Sequence, residues 1–117
     1  MFSINIKGGV PIYEQLGGHI AALITTGVLQ KEEKLPTVRE VAKQLGVNPN
    51  TVQKAYQQLE FQGLIYSVPA KGSYVSSDNE GITLLRSRTM KSFLDVAKNA
   101  LNCGIEKPKL IEAINTI

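Results

Sequence analysis

Hydrophobic residues recur at helical spacing in five stretches of the chain and gather in short β-prone runs in two other places. Ile12, Leu16, Ile20, Leu23 and Ile24 share one helical face, with Pro11 suited to the first turn and Gly27 to the end. Gly17 and Gly18 fall inside that helix, where each costs about 1 kcal/mol relative to alanine. Close packing against another backbone would account for the pair. Val41, Ala42 and Leu45 give a second, short helix over about 38–45. Thr37 and Glu40 stand at capping-box spacing at its start, and Gly46 ends it. Val47 is expected as a buried turn residue. Asn48 is a good N-cap and Pro49 a good first helical residue, so a third helix begins there. It turns Val52, Ala55, Tyr56 and Leu59 inward and ends at Gly63.

Two short helices joined by a glycine-containing turn, the second well capped, form a helix-turn-helix pattern. The runs Leu64–Val68 and Ser73–Ser76, around Pro69-Ala70-Lys71-Gly72, predict a β-hairpin, and a hairpin in that place is a wing. The opening Phe2–Ile6 alternates apolar and polar residues, as a short strand or extended arm would, and Gly8-Gly9 ends it. Lys31–Pro36 has the composition of a polar link. Composition shifts at Ser76–Asn79. Beyond it, Leu84, Leu85, Met90, Phe93, Leu94, Ala97 and Leu101 predict one helix over about 82–102 with an apolar face. Asn102-Cys103-Gly104 breaks it, and Pro108 opens a last helix carrying Leu110, Ile111, Ile114 and Ile117. The predicted fold is mainly α with a small β-hairpin: a winged helix-turn-helix domain over 1–77 and a two-helix extension over 78–117.

Composition narrows the functions such a chain can have. Its 117 residues, 43% apolar and 20% charged, suit a globular domain, or a small domain with an appendage. Aromatics are 6% and tryptophan is absent, which argues against an aromatic-rich ligand pocket. No apolar run approaches the roughly 20 residues that span a bilayer, and MFSINIKGG lacks a signal-peptide core. The expectation is a soluble cytoplasmic protein with no membrane partner. Cys103 is the single cysteine and His19 the single histidine, too few for a disulfide or a closed zinc site, so no metal or cofactor is expected. His19 fits a surface or core-edge position, and Cys103 an incidental thiol. No phosphate loop and no catalytic pair can be found, so no catalysis is expected. Thirteen basic against ten acidic residues give +3, which permits an anionic partner without demanding one. Residues 1–79 hold seven basic and six acidic side chains.

Candidate chemistry concentrates between Leu35 and Val75. Asn48, Asn50 and Thr51 stand at a helix N-terminus, where free N–H groups and the helix dipole suit phosphate, and asparagine can also read adenine edges. Gln53 and Lys54 follow on the next turn. Arg39 starts the preceding helix, the one that crosses the DNA backbone in a helix-turn-helix. Lys71 tips the wing, and Lys43, Lys54 and Lys71 are candidate phosphate contacts.

Leu35-Pro36-Thr37-Val38-Arg39-Glu40, Leu45–Val52, Ala55-Tyr56, Leu59-Glu60, Gly63-Leu64-Ile65 and Lys71–Val75 resemble the GntR family of bacterial transcription regulators. Pro11–Gln15 and the Asn48–Val52 string resemble its YtrA-like subfamily. The resemblance covers about residues 1–77. It implies a winged helix-turn-helix that binds double-stranded operator DNA as a dimer, with contacts at Arg39, Asn48, Asn50, Thr51, Gln53 and the tip Ala70-Lys71-Gly72. Pro69-Ala70 departs from the family's basic or glycine-rich tip, leaving Lys71 as the wing anchor, and Gly17-Gly18 departs from the polar residues usual there. The remaining tail resembles the two-helix extension that dimerises YtrA-like members. The expectation is a sequence-specific homodimeric repressor on an inverted-repeat operator, with Leu84, Leu85, Met90, Phe93, Leu94, Ala97 and Leu101 at the dimer interface and no effector assigned. Two alternatives stay open: a winged helix that binds protein rather than DNA, and a tail that packs back on its own domain.

Overall fold

A computed structural model describes residues 4, 5 and 8–117. It contains α1 (Ile12–Thr25), α2 (Val38–Leu45), α3 (Pro49–Phe61), β1 (Ile65–Val68), β2 (Gly72–Val75), α4 (Glu80–Asn102) and α5 (Lys107–Asn115). The chain divides into two compact units, Met1–Ile82 and Thr83–Ile117, so the first unit takes in the start of α4.

The core belongs to the first unit. Leu16, Ile20 and Ile24 of α1, Val41 and Ala42 of α2, Val52, Ala55, Tyr56 and Leu59 of α3, and Leu64, Ile65 and Val75 from the hairpin region are all buried, with α3 packed against α1, α2 and β1. Each large side chain so covered contributes about 1.5–3 kcal/mol. Leu23, Leu45 and Val47 are only half-buried, at the margins of their expected faces. His19 is exposed. Nothing approaches within 4 Å of a Cβ built on Gly17 or Gly18, so close backbone packing does not account for that pair.

Local chemistry sets the element ends. The Thr37 hydroxyl accepts from the Glu40 N–H at 3.1 Å and donates to Glu40 Oε1 at 3.1 Å, which starts α2. Gly46, at φ +69°, turns the chain out of α2, and the Val47 N–H reaches back to the Ala42 carbonyl at 3.0 Å.

β1 and β2 pair antiparallel, with Ile65 opposite Val75 and Val68 opposite Gly72. The Lys31–Pro36 stretch is more than a link. The Glu32 N–H donates to the Val75 carbonyl, the Val75 N–H to the Glu33 carbonyl and the Leu35 N–H to the Ser73 carbonyl, each at 2.9 Å. This segment therefore covers the free edge of β2, which an isolated hairpin would leave exposed. Tyr66 and Tyr74 stack across the hairpin with centroids 5.7 Å apart. The Tyr66 hydroxyl donates to the Glu32 carboxylate, and that bond holds its pKa above the usual phenol range.

Most of the expected Phe2–Ile6 strand lies outside the described residues; Ile4 and Asn5 have no regular structure. Asn5 is instead tied down by a side chain. Its N–H donates to Gln15 Oε1 at 2.7 Å, and Gln15 Nε2 donates to the Asn5 carbonyl and the Val10 carbonyl, each at 2.8 Å.

Candidate nucleic-acid interface

α2 and α3 stand as a helix-turn-helix because Gly46 and the Asn48 cap end one helix and begin the next within three residues. The four buried residues of α3 leave Asn50, Gln53 and Gln57, spaced i, i+3 and i+7, along one exposed stripe. A cleft of about 450 Å³ opens between that stripe and the wing, lined among others by Thr37, Gln53, Gln57, Ser73 and Lys71. Gln53 and Lys71 are thus brought to one place. Gln57, absent from the sequence-based set, joins them; its i+7 spacing from Asn50 was the available signal. The stripe ends at Phe61, which is 87% exposed.

Asn48 Oδ1 accepts from the Asn50 N–H at 2.8 Å, and the Asn48 carbonyl accepts from the Thr51 N–H at 3.0 Å. Pro49 has no N–H. At the start of α3 the Asn50 and Thr51 N–H groups are thus both bonded to Asn48, one to its side chain and one to its carbonyl. The side chain of Asn50 remains exposed, and Thr51 is half-buried.

Lys54 is exposed, and its Nζ sits 4.0 Å from the centre of the Tyr13 ring on α1, a cation–π contact. Arg39 and Lys43 are exposed one turn apart on α2. Gly72 takes φ +128° as the first residue of β2, and its hypothetical Cβ would lie 3.0 Å from Lys34 Cε. At the tip the Lys71 N–H donates to the Val68 carbonyl at 3.0 Å across Pro69-Ala70, and Ala70 takes φ +64°. That is a type II turn with alanine where glycine is usual.

Charge is distributed unevenly. Residues 1–82 hold seven basic and seven acidic side chains, whereas 83–117 hold six basic and three acidic, so the net +3 lies in the second unit. Any attraction of the first unit for an anion is local, at Arg39, Lys43 and Lys71, and not a property of its total charge.

In the second unit Met90, Phe93 and Leu94 are 45–58% exposed, Ala97 and Leu101 are half-buried, and Ile111 and Ile114 of α5 are exposed. At 100° per residue, Met90, Phe93, Leu94, Ala97 and Leu101 fall within an arc of about 100°, with Leu84 and Leu85 outside it. The expected face is therefore narrower at its N-terminal end than the seven residues implied. Among the described residues no helix is long and apolar enough to cross a membrane, and no group of three histidine, cysteine or acidic residues could hold a metal. Cys103 is exposed and free.

Residues 12–75 match the model of the bacterial regulatory proteins, gntR family. The HTH-type transcriptional repressor YtrA of Bacillus subtilis (strain 168) is 37% identical over 120 residues, covering 100% of this chain and 92% of the relative. A GntR family transcriptional regulator from Listeria monocytogenes has a similar structure, with TM-score 0.78 and 34% identity over 96% of this chain and 99% of that one. The DNA-binding domain of AraR in complex with operator ORX1 aligns with TM-score 0.59 and 32% identity over 64% of this chain and 96% of that one. Winged helix, motif order and full-length similarity agree: the chain belongs to the gntR family of bacterial transcription regulators, on the YtrA-like side of it.

Proposed function

We propose that this protein is a homodimeric, sequence-specific repressor that binds an inverted-repeat operator in the cytoplasm. The observation that carries the reading is the exposed Asn50–Gln53–Gln57 stripe of α3, of which Gln53 and Gln57 line one cleft with Lys71. Amide side chains on an exposed helix can make the paired hydrogen bonds that adenine presents in the major groove. Residues 1–77 are the DNA-binding domain in this reading, and 78–117 the dimerisation extension. α3 enters the major groove, Arg39 holds the backbone and reads a base edge, and the wing carries Lys71 to the adjacent minor groove. Asn48 and Gly72 support the reading elements by capping α3 and shaping the wing. The exposed Met90, Phe93 and Leu94, with Ala97 and Leu101, form the seam with a second copy. Two-fold symmetry then asks for half-sites related by inversion and about one helical turn or more apart.

The balanced charge of residues 1–82 favours a second reading, a winged helix that binds protein. Selection of bound sequences from random duplex DNA, followed by titration and sedimentation of the wild type and Phe93→Asp, separates the two. The wild type should select an inverted repeat and sediment as a dimer. Phe93→Asp should sediment as a monomer and bind the repeat hardly better than one half-site. Failure to enrich any sequence would sink the DNA-binding reading, and a dimeric Phe93→Asp would move the interface elsewhere.

A further inference from the structure

Glu60 stands on the reading face of α3 with a charge that opposes DNA. It follows Gln53 and Gln57 at i, i+4 and i+7, is exposed, and lines the same cleft as those two amides and Lys71. A carboxylate there repels the phosphates of any duplex the cleft admits. Its oxygens are held by the wing. Oε1 accepts from the Ser67 N–H at 3.1 Å, and Oε2 accepts from the Ser67 hydroxyl at 3.4 Å. A hydroxyl carries one proton, so Ser73 Oγ, 3.3 Å from Ser67 Oγ across the hairpin, donates to Ser67 in turn.

The pairing of the hairpin explains why the Ser67 N–H is available. Ser73 and Val75 turn backbone groups toward the covering residues 32–35. Ser67 stands opposite Ser73, so alternation along the ladder turns its own N–H away from β2. The sheet has no further strand on that side, and Glu60 supplies the acceptor that a strand would offer. The Leu64 N–H, bonded to the Leu59 carbonyl at 3.0 Å, fixes the hairpin at its base. Glu60 grips it nearer the tip that carries Lys71.

We propose that Glu60 is a positioning residue for operator binding: its carboxylate fixes the wing against α3, so that Lys71 faces the same stretch of duplex as Gln53 and Gln57. This rests on the DNA-binding reading above and is independent of the dimer. A charge-assisted bond to phosphate needs its two atoms within about 3 Å. A wing that rocks on its base must be ordered when DNA binds, and that ordering costs affinity. The Glu60–Ser67 clamp orders it beforehand. Removing the carboxylate therefore has two opposed effects. Loss of a negative charge favours DNA, and loss of the clamp disfavours it; in a positioning role the second prevails.

The test uses full-length wild type, Glu60→Ala, Glu60→Gln, Lys71→Ala and the double variant Glu60→Ala/Lys71→Ala, each titrated against the duplex that the wild type selects from random DNA. Glu60→Ala should bind about tenfold more weakly although it has shed a negative charge. Glu60→Gln keeps an acceptor for the Ser67 N–H and should bind within about threefold of wild type. The factor lost on Lys71→Ala should fall by half or more in the Glu60→Ala background, since an unclamped wing has less of that contact to lose. Binding by Glu60→Ala as tight as wild type or tighter overturns the assignment, because charge alone then governs the position. Equal losses for Glu60→Ala and Glu60→Gln, with specificity relaxed at one base pair, overturn it in favour of a direct base contact. Independent losses in the double variant also overturn it. If Glu60→Ala does not fold, Ser67→Pro removes the donor on a strand edge that tolerates proline, and wild-type affinity there overturns the assignment. A wild type that enriches no sequence overturns the DNA-binding reading itself, before any variant is compared. An inert Lys71→Ala overturns the wing contact on which the positioning role depends.

Discussion

The Tyr56 hydroxyl of α3 donates a 2.6 Å hydrogen bond to the carbonyl of Pro36, the residue that ends the β2-covering segment and precedes the α2 cap. One phenol therefore joins the recognition helix, the start of α2 and the edge of the wing sheet. Burial, and then the nearby Glu40 carboxylate, push its pKa up to about 12. The folded state thus keeps the Tyr56 proton where the unfolded chain loses it. The stability tied to that proton is fully present below about pH 10 and is lost as pH rises toward about 12.

Tyr56→Phe should lower stability by about 1–2 kcal/mol, because the Pro36 carbonyl is left without its partner. It should also flatten the decline in stability between pH 10 and 12. Urea unfolding from pH 8 to 11.5 checks both. A variant that keeps the wild-type alkaline slope would assign that slope to other groups.

Arg39, Lys54 and Lys71 should separate into three behaviours on DNA. Arg39→Ala should cost about 1–3 kcal/mol of operator affinity and relax specificity at one base pair per half-site. Lys71→Ala should weaken all duplexes alike and reduce the log–log salt slope by about 0.9 per subunit. Lys54→Ala should leave the salt slope unchanged and lower folding stability by about 0.5–1 kcal/mol through loss of the Tyr13 contact. Titrations across a salt series, beside a thermal melt, distinguish them. A shallower slope for Lys54→Ala would return that residue to the phosphate contacts.

Ala70→Gly should stabilise the wing. An L-residue in the left-handed region costs about 1–2 kcal/mol, partly offset by the freedom that glycine adds to the unfolded chain. A net gain of about 0.5 kcal/mol, or about 2–4 °C in Tm for a domain this small, is expected. An unchanged or lower Tm by calorimetry would show that contacts at the tip favour the alanine.

Helix limits, caps, the hairpin and the buried faces of α2 and α3 were all legible in the chain. Thr37 with Glu40, Gly46, and Asn48 with Pro49 act within about four residues, so each carries its own geometry in its immediate neighbours. The exposed amides of α3 were legible as one face of that helix. The amides at the start of α3 signalled a cap and a binding surface together, and their hydrogen bonds show that Asn48 is spent on the cap.

What could not be read joins residues far apart along the chain. Glu32–Leu35 pairs with β2, Gln15 grips Asn5, Lys54 lies over Tyr13, and Gly81 rests on Gly63. No periodicity records such meetings, because they depend on where the helices cross once the core has closed. A lysine on an exposed stripe is free by pattern and engaged by proximity. A glycine in a first helical turn is a weakness by propensity and a requirement by contact. Local backbone preference set the elements of this protein; the packing of one element on another chose which of its exposed side chains remained available to bind.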